Sequence, residues 1–329
     1  YTRMLLAAIP RLEDETAPNR PGSQTLLAVD DLEVGFPMAG KTLFSPSRPL
    51  RAVDGVSFTL NQGETLGIVG ESGCGKSTLA RAVLQLLPAA GGRVVWLGRD
   101  LDAKKTRDIR ALRRDLQIVF QDPLASLDPR MPIGVSIGEP LRALRPELGR
   151  AGIAARVTAM MDRVGLDPAW INRYPHELSG GQNQRVCIAR ARIVEPKLVV
   201  CDEAVSALDV SIQAEIVALI GALQRETGLS LLFISHDLAV VRRLCHRVMV
   251  LYLGRVVELA DGPALYGDPR HPYTKALLSA VLTPDPKVER GRQRLLLSGD
   301  PPSPLDPKAQ LRFLPSRLSD GPEQYRPKL

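Results

Sequence analysis

The residues best suited to chemistry lie in a glycine-rich run, 70–77, that reads GESGCGKS and fits G-x-x-x-x-G-K-[ST] at every fixed position. Glycines let backbone N–H groups wrap phosphate groups, and a following helix adds the positive end of its dipole. Lys76 is expected to reach the outer phosphates of a nucleotide, and Ser77 to hold a Mg²⁺ ion. The candidate phosphate contacts are Gly70, Ser72, Gly73, Cys74, Gly75, Lys76, Ser77 and Thr78.

Two carboxylates end an apolar run further along the chain, at 198–203 (LVVCDE). Such a run predicts a central strand that delivers its acids to a site at the carboxyl edge of a sheet. Phosphoryl transfer needs charge neutralisation and an aligned nucleophile, so we assign Asp202 to Mg²⁺ and Glu203 to polarising the attacking water. Two acids at a strand end are also compatible with simple solvation, and the phosphate loop upstream favours the catalytic interpretation.

The pentapeptide LSGGQ at 178–182 precedes a helical pattern. Ser179, Gly180, Gly181 and Gln182 therefore offer exposed donors and a helix N-terminus directed at an anion. Taken alone, the run is better explained as an ordinary Gly-Gly helix start.

A histidine, His236, lies two residues after the end of the short apolar strand predicted at 231–234. It is expected to project from the same sheet edge, where an imidazole can contact a γ-phosphate. His176, His246 and His271 are interpreted as structural, which is the usual role of an isolated histidine.

The surrounding pattern supplies the elements that must position these groups. A buried strand at 64–69 precedes the phosphate loop and a helix at 77–87 follows it. Strands are predicted at 27–36 and 53–60, and helices at 135–144 and 151–164. Asp209 lies at the N-cap position of the helix that begins after it.

Together these motifs resemble the nucleotide-binding subunits of ATP-binding cassette (ABC) transporters, over nearly the whole chain. Gln121 in VFQDP matches the family's Q-loop, which contacts the metal and the membrane partner. Ser206–Asp209 (SALD) matches the D-loop, and His236 the switch histidine. The resemblance implies that the LSGGQ run contacts the γ-phosphate of ATP held by a different cassette.

The same resemblance implies an α/β fold: a RecA-like P-loop NTPase core, an antiparallel β subdomain, an α-helical signature subdomain and a Pro-rich C-terminal extension. ATP and Mg²⁺ are the implied ligands. The implied partners are a second ABC ATPase domain, two membrane permease subunits and, indirectly, an external solute-binding protein. The implied position is peripheral, at the cytoplasmic face of the inner membrane. Asn183 and Ala204 depart from the family pattern without removing a catalytic group.

Two further runs of residues indicate a subgroup within this family of ATPases. HPYTKALL at 271–278 and the stretch from Gln121 to Met131 resemble the ATPases of oligopeptide, dipeptide and nickel importers. We therefore expect an ATPase that powers import of peptides or peptide-like solutes. An ordinary amphipathic terminal helix would also fit the first run.

Two other functions remain open: a soluble ABC ATPase acting on nucleic acid or ribosomes, and an exporter cassette. The net charge of +7 and the pI near 9.4 are compatible with nucleic acid. The charge is dispersed, however, aromatic residues make up only 4 % of the chain, and the gap between Lys76 and Ser179 lacks a CxxC module. An exporter would lack 271–329 in this form. No nucleic-acid partner is expected, and no apolar run has the length of a membrane span.

The chain divides by pattern into 1–10, 11–26, 27–268 and 269–329. Residues 1–8 (YTRMLLAA) repeat the pattern of 273–280 (YTKALLSA), so 1–10 are interpreted as the tail of a preceding ATPase domain in a tandem protein. Residues 11–26 are interpreted as a linker, 27–268 as the nucleotide-binding domain and 269–329 as the extension. A chance match of short apolar helices is the alternative for the repeat.

Cysteine usage argues against metal sites. The four cysteines are scattered without CxxC spacing, which argues against a zinc site or a disulfide framework. Many relatives carry a cysteine set in the C-terminal tail, whereas 311–316 here contain none, so no iron–sulfur cluster is expected.

Phe36 is the candidate for stacking on adenine. A strand-end core role is the alternative for it, and Phe44 is a rival.

Overall fold

The computed structural model describes residues 21–37, 50–101, 112–282, 286–291 and 295. The strands of these segments are β1 (Thr25–Phe36), β2 (Leu50–Asn61), β3 (Thr65–Val69), β4 (Gly91–Trp96), β5 (Arg99–Asp100), β6 (Leu116–Val119), β7 (Leu198–Asp202), β8 (Ser230–Ile234), β9 (Arg247–Tyr252) and β10 (Arg255–Asp261). Their helices are α1 (Lys76–Val83), α2 (Pro123–Ser126), α3 (Ile133–Leu144), α4 (Arg150–Arg163), α5 (Gly180–Arg192), α6 (Val210–Thr227), α7 (Leu238–Leu244), α8 (Gly262–Gly267), α9 (Pro272–Ala280) and α10 (Pro286–Gly291).

Four strands form an antiparallel sheet in the order β2-β1-β4-β5. Buried and exposed residues alternate along β2, as expected when one face of a strand packs on a core and the other meets solvent. The buried face, which includes Leu27, Leu60 and Trp96, packs with residues of β3 and α1 in one hydrophobic cluster. The predicted antiparallel β subdomain is therefore present and lies against the phosphate-loop helix.

The second sheet has the order β10-β9-β3-β8-β7-β6. Strands β9, β3, β8, β7 and β6 are mutually parallel, and β10 pairs antiparallel with β9. Every residue of β3, β7 and β8 is buried, as in parallel strands that are covered on both faces. The carboxyl ends of four of these strands lead directly into the phosphate loop, Gln121, Glu203 and His236, which places all four groups at one edge.

The stretch of chain between Gln121 and the LSGGQ run is mainly helical. Helices α3, α4 and α5 pack against one another through buried residues such as Ile137, Val157 and Val186. The α/β P-loop fold, with its antiparallel and helical subdomains, is confirmed. The Pro-rich part of the extension lies outside the described residues.

The predicted elements agree with the structure except at the end of the first helix. That helix was expected over 77–87, but it ends at Val83, with Leu84 as its C-cap and Gln85 in the left-handed region at φ 54°. The apolar residues Leu84 and Leu87 continue the helical spacing without continuing the helix. The proposed repeat at 1–8, the rival Phe44 and the cysteine-free stretch 311–316 lie outside the described residues.

The three histidines assigned to structural roles do make structural contacts. Nδ1 of His246 accepts a hydrogen bond from Thr65 N–H at 2.9 Å, and His176 stacks on Tyr174. Nδ1 of His271 caps α9 by accepting from Tyr273 N–H at 3.2 Å.

Replacing His271 with Asn is expected to remove an acid sensitivity from the extension. Burial lowers the pKa of His271 from 6.5 to about 4, with Glu258 opposing the shift. A histidine whose pKa is lower in the folded state stabilises the fold fully above 6.5 and progressively less as the pH falls towards 4. Asn can cap the helix but does not titrate. Urea unfolding between pH 7 and pH 4.5 should show a shallower loss of stability in His271→Asn. An unchanged pH slope would contradict this assignment.

Candidate nucleotide-binding site

The glycines of the phosphate loop are required by close backbone approaches. A Cβ on Gly70 would lie 2.2 Å from the Leu251 carbonyl oxygen, and one on Gly75 would lie 2.1 Å from that of Ala52. Both glycines have positive φ, at 151° and 106°. Gly75 is the N-cap of α1 and supplies no side chain to cap it, so the first N–H groups of that helix remain available to an anion.

The lysine of the loop is folded onto the loop itself. Lys76 is 4 % exposed, and its Nζ donates to the carbonyl oxygens of Gly70 and Glu71 at 2.8 and 2.9 Å. The same Nζ lies 3.7 Å from Glu203 Oε1. The Lys76 ammonium is thus buried and contacts two carbonyl oxygens and one carboxylate. It places a positive charge at the phosphate loop.

The serine of the loop meets the buried acid at the end of β7. Ser77 Oγ donates to Asp202 Oδ1 at 2.7 Å, and Asp202 is 3 % exposed. Burial raises the pKa of Asp202, although the hydrogen bond from Ser77 opposes that shift. An adjacent hydroxyl and carboxylate are the oxygen ligands that Mg²⁺ prefers, and a bound cation would favour the ionised carboxylate. The pair therefore fits the predicted metal role.

The second acid has a strained backbone. Glu203 adopts φ 49°, in the left-handed region that non-glycine residues rarely occupy. Its N–H donates to the Ile234 carbonyl at 3.1 Å, and its own carbonyl accepts from both N–H and Oγ of Ser206. These bonds fix the direction of a carboxylate that is largely buried.

Glu203 is the meeting point of the side chains at the sheet edge. Gln121 Nε2 donates to Glu203 Oε2 at 3.0 Å, and His236 Nδ1 lies 3.9 Å from the same oxygen. The imidazole is more than half exposed. Lys76 approaches the other carboxylate oxygen. A water held beside Glu203 would thus meet a base, an amide and an imidazole at once, which is what activation of a nucleophile requires.

The LSGGQ run forms a capping box at the start of α5. Ser179 N–H donates to Gln182 Oε1, and Ser179 Oγ accepts from Gln182 N–H. Ser179 and Gly180 are exposed, whereas Gly181 is buried, and a Cβ there would lie 2.5 Å from Ile212 Cγ2. One glycine thus packs α5 onto α6 and the other leaves the helix start open. Among the described residues, the side chains of Ser179 and Gln182 bond to each other's backbone rather than to the phosphate loop.

Two further residues expected from the sequence can be located. Asp209 caps α6 as predicted, its Oδ1 accepting from Ser211 and Ile212 N–H. Phe36 is 37 % exposed and pairs with Leu50, two residues before Ala52, whose carbonyl backs Gly75. The aromatic ring is thus on the strand pair beside the phosphate loop, and its contact with adenine stays a prediction.

The atypical residue in the signature helix has a structural role. Asn183 is buried, and its Nδ2 donates to the carbonyls of Pro175 and Leu178. It therefore fixes the turn that precedes the signature. The four cysteines are buried and unbridged, and burial raises the pKa of Cys74 above its ordinary value, in accord with a packing role.

Sequence reasoning missed two features that support the loop. Asp54 of β2 is buried and receives hydrogen bonds from Arg51 and Arg255. Its N–H donates to the Gly254 carbonyl, and Gly254 N–H donates to the Cys74 carbonyl in the loop. Burial alone would raise the pKa of Asp54, but the two arginines outweigh it and the pKa is lowered. The other feature is the hydroxyl of Tyr273, which accepts from Glu71 N–H at 3.0 Å.

The fold and the site together define a P-loop ATPase with a parallel sheet, a phosphate loop and catalytic groups at one strand edge. Similar solved structures support this class of protein. The chain resembles the dimeric cassette MJ0796 in its post-hydrolysis state bound to ADP and Pi, with a TM-score of 0.65 at 26 % identity, covering 72 % of this chain and 98 % of that one. It also resembles cbiO1 of Clostridium perfringens, part of the ABC transporter complex cbiONQ, with a TM-score of 0.64 at 27 % identity over 75 % and 92 % of the two chains.

Sequence comparisons narrow the class. Residues 53–206 match the ABC transporter family model, and residues 257–316 match the oligopeptide/dipeptide transporter C-terminal region. The oligopeptide transport ATP-binding protein OppF of Salmonella typhimurium is 56 % identical over 93 % of both chains. The glutathione import ATP-binding protein GsiA of Escherichia coli is 45 % identical over 99 % of this chain and 56 % of its own length.

The chain belongs to the ABC transporter family. It is an ATP-binding cassette, the ATP-hydrolysing component of such transporters.

Proposed function

We propose that this cassette binds and hydrolyses Mg-ATP to drive import of peptides or peptide-like solutes through a membrane permease. The observation that carries the proposal is the 56 % identity to an oligopeptide transport ATP-binding protein over 93 % of both chains. The match of 257–316 to an oligopeptide/dipeptide transporter C-terminal region supports the same cargo class. The relatives' names describe transport, which favours an importer over a cassette that acts on nucleic acid or ribosomes.

In this proposal the phosphate loop and the N-terminus of α1 bind the ATP phosphates. Lys76 exchanges its bonds to Gly70 and Glu71 for the outer phosphates. Ser77 and Asp202, with Gln121, hold Mg²⁺, which when bound neutralises charge on the phosphates. Phe36 stacks on the adenine.

Glu203 orients and polarises the water that attacks the γ-phosphate. Its left-handed backbone and its hydrogen bond from Gln121 fix the carboxylate before the nucleotide arrives. His236, exposed beside it, contacts the γ-phosphate. Because Gln121 bonds directly to Glu203, a shift of the Q-loop would change the position of the base.

A second, homologous cassette completes the site. Ser179, Gly180, Gly181 and Gln182 present a helix N-terminus, and the exposed part of it suits a phosphate held by another molecule. The similar cassette MJ0796 is a dimer with ADP and Pi, which supports this arrangement. Asp209, in the D-loop before α6, contributes to the same junction.

Two permease subunits are the proposed membrane partners, with an external solute-binding protein acting through them. A groove of about 450 Å³ runs beside the Q-loop and is lined by apolar residues from both subdomains, including Leu84, Leu86, Phe120, Pro140 and Leu144. A permease segment seated there would contact the residue next to Gln121. Across the described segments, no helix is both long and apolar enough to cross a bilayer. We infer a peripheral position at the cytoplasmic face of the inner membrane.

Disruption of the gene is expected to abolish uptake of a radiolabelled tripeptide, and wild-type protein, but not Glu203→Gln, should restore it. Glu226→Gln is the matched control, since this exposed glutamate forms a surface ion pair with Arg163, and such pairs contribute little to stability. Normal tripeptide uptake in the disrupted strain would contradict peptide import. Co-purification with ribosomes or DNA, rather than with two hydrophobic permease chains, would favour the alternative class.

A further inference from the structure

The C-terminal helix α9 touches the phosphate loop through one side chain. Tyr273 is fully buried, and its hydroxyl oxygen accepts a hydrogen bond of 3.0 Å from Glu71 N–H, 202 residues away in sequence. The Tyr273 ring packs edge-on against Tyr252 at the end of β9, with centroids 4.7 Å apart. The contact therefore joins the extension, the core sheet and the loop.

The hydrogen bond falls on the Gly70–Glu71 peptide, whose carbonyl oxygen belongs to Gly70 and accepts from Lys76 Nζ at 2.8 Å. The carbonyl oxygen of Glu71 accepts from Lys76 Nζ at 2.9 Å and from Cys74 N–H at 3.3 Å. Glu71 is thus held on its N–H side by Tyr273 and on its carbonyl side by the loop. Releasing the Glu71 N–H would free the Gly70–Glu71 peptide plane to rotate, and with it the Gly70 carbonyl that accepts from Lys76.

The position of the hydroxyl is fixed by the start of α9. Glu258 of β10 accepts hydrogen bonds from the N–H groups of Arg270 and His271. His271 in turn caps Tyr273 N–H. Burial raises the pKa of Tyr273 well above its ordinary value, so the phenol stays neutral at physiological pH. A neutral hydroxyl on a fixed ring is a defined acceptor for one loop N–H.

We propose that Tyr273 is a positioning residue for ATP binding, through which the C-terminal element holds the phosphate loop in its nucleotide-binding conformation. The inference rests on the proposed role of residues 70–77 as the phosphate site. The oligopeptide-type extension thereby supplies Tyr273 as a support for the ATP site. The phosphate-loop motif itself, residues 70–77, does not include this residue.

Tyr273→Phe isolates the hydroxyl, since phenylalanine keeps the ring packing and removes only the O–H group, including its acceptor oxygen. Mg-ATP binding to the full chain is expected to weaken about three- to tenfold, the effect of one lost hydrogen bond. Turnover at saturating ATP in the assembled transporter should stay within about twofold, because Glu203, Gln121 and His236 are untouched. The result is a raised KM with a preserved kcat.

Tyr266→Phe is the matched control. Tyr266 lies in α8, and its hydroxyl donates to the Leu238 carbonyl at 2.7 Å rather than to the loop. Both variants lose one buried hydroxyl contact, and a comparable loss of melting temperature is expected in each. Only Tyr273→Phe should change the Kd for ATP. The inference would be overturned if Tyr273→Phe and Tyr266→Phe bound ATP with the same Kd, whether that Kd equals the wild-type value or is raised equally in both.

Hydrogen exchange at the Glu71 amide tests the bond directly and also works on the unmodified protein. Without nucleotide, this amide should be protected in the wild type and in Tyr266→Phe, and should exchange at least about tenfold faster in Tyr273→Phe. An unprotected Glu71 amide in the wild type overturns the inference even if the variant does not fold. If the wild type fails to bind ATP, the proposed phosphate site fails as well. If it binds ATP and Tyr273→Phe binds equally, only the role of Tyr273 is lost.

Discussion

Glu203→Gln is expected to lower ATP turnover at least about 100-fold while leaving ATP binding close to wild type. The amide keeps the size of the side chain and the same left-handed backbone, so the local strain is unchanged. It cannot accept a proton from the attacking water or polarise that water with a full negative charge. The loop and Ser77, which bind phosphate and metal in our proposal, are unaltered.

Binding is expected to persist, and even to tighten slightly, for an electrostatic reason. Glu203 Oε1 lies 3.7 Å from Lys76 Nζ, so its charge competes with the nucleotide for that ammonium. Phosphate release at saturating Mg-ATP and the Kd for Mg-ATP measure the two effects separately. Glu226→Gln should behave as wild type in both. Wild-type turnover in Glu203→Gln would remove Glu203 from the role proposed here.

The elements of the site that the sequence predicts are those encoded locally. The phosphate loop, the acids after β7 and the histidine after β8 each follow a short apolar run that ends in polar residues. Parallel strands bring such ends to one edge, which is why Gln121, Glu203 and His236 are expected close together. The structure joins all three at one carboxylate.

Other features depend on contacts between distant parts of the chain. Neither the order of the strands, with β8 between β3 and β7, nor the Tyr273–Glu71 bond leaves a local signal. The end of α1 at Val83 was missed because apolar spacing continues beyond it, whereas the positive φ of Gln85 has no glycine to signal it. The left-handed backbone conformation of Glu203 could not be predicted either, because a glutamate in the sequence does not indicate a positive φ.

The same distinction between local and distant contacts explains the two glycines of the signature. Both belong to one motif, but Gly181 is needed because Ile212 of α6 packs where its Cβ would be. Gly180 meets only Leu208, at 3.7 Å. A side chain is therefore sterically tolerable at Gly180, and the described residues of this cassette give no steric reason for a glycine there.

Gly180→Asp is accordingly expected to leave the fold intact and to lower turnover of the assembled transporter by about 100-fold or more. A carboxylate in the first turn of α5 favours the helix dipole, so stability should not fall for that reason. It would, however, meet the γ-phosphate presented by the second cassette and repel it. Gly152→Asp is the matched control: it adds the same acid to the first turn of α4, at an exposed glycine with nothing within 4 Å.

The decisive measurement is ATP binding by the isolated variant chain. If the signature acts on a nucleotide held by another cassette, Gly180→Asp and Gly152→Asp should both bind Mg-ATP within about twofold of wild type, and only Gly180→Asp should lose turnover. If the signature acted on its own phosphate loop, Gly180→Asp would bind ATP poorly as an isolated chain. The capping box of Ser179 and Gln182 closes on itself, and Ser179 and Gly180 are exposed whereas Gly181 packs on Ile212 of α6. The geometry therefore favours action on a partner, and weakened binding in the isolated Gly180→Asp chain would refute it.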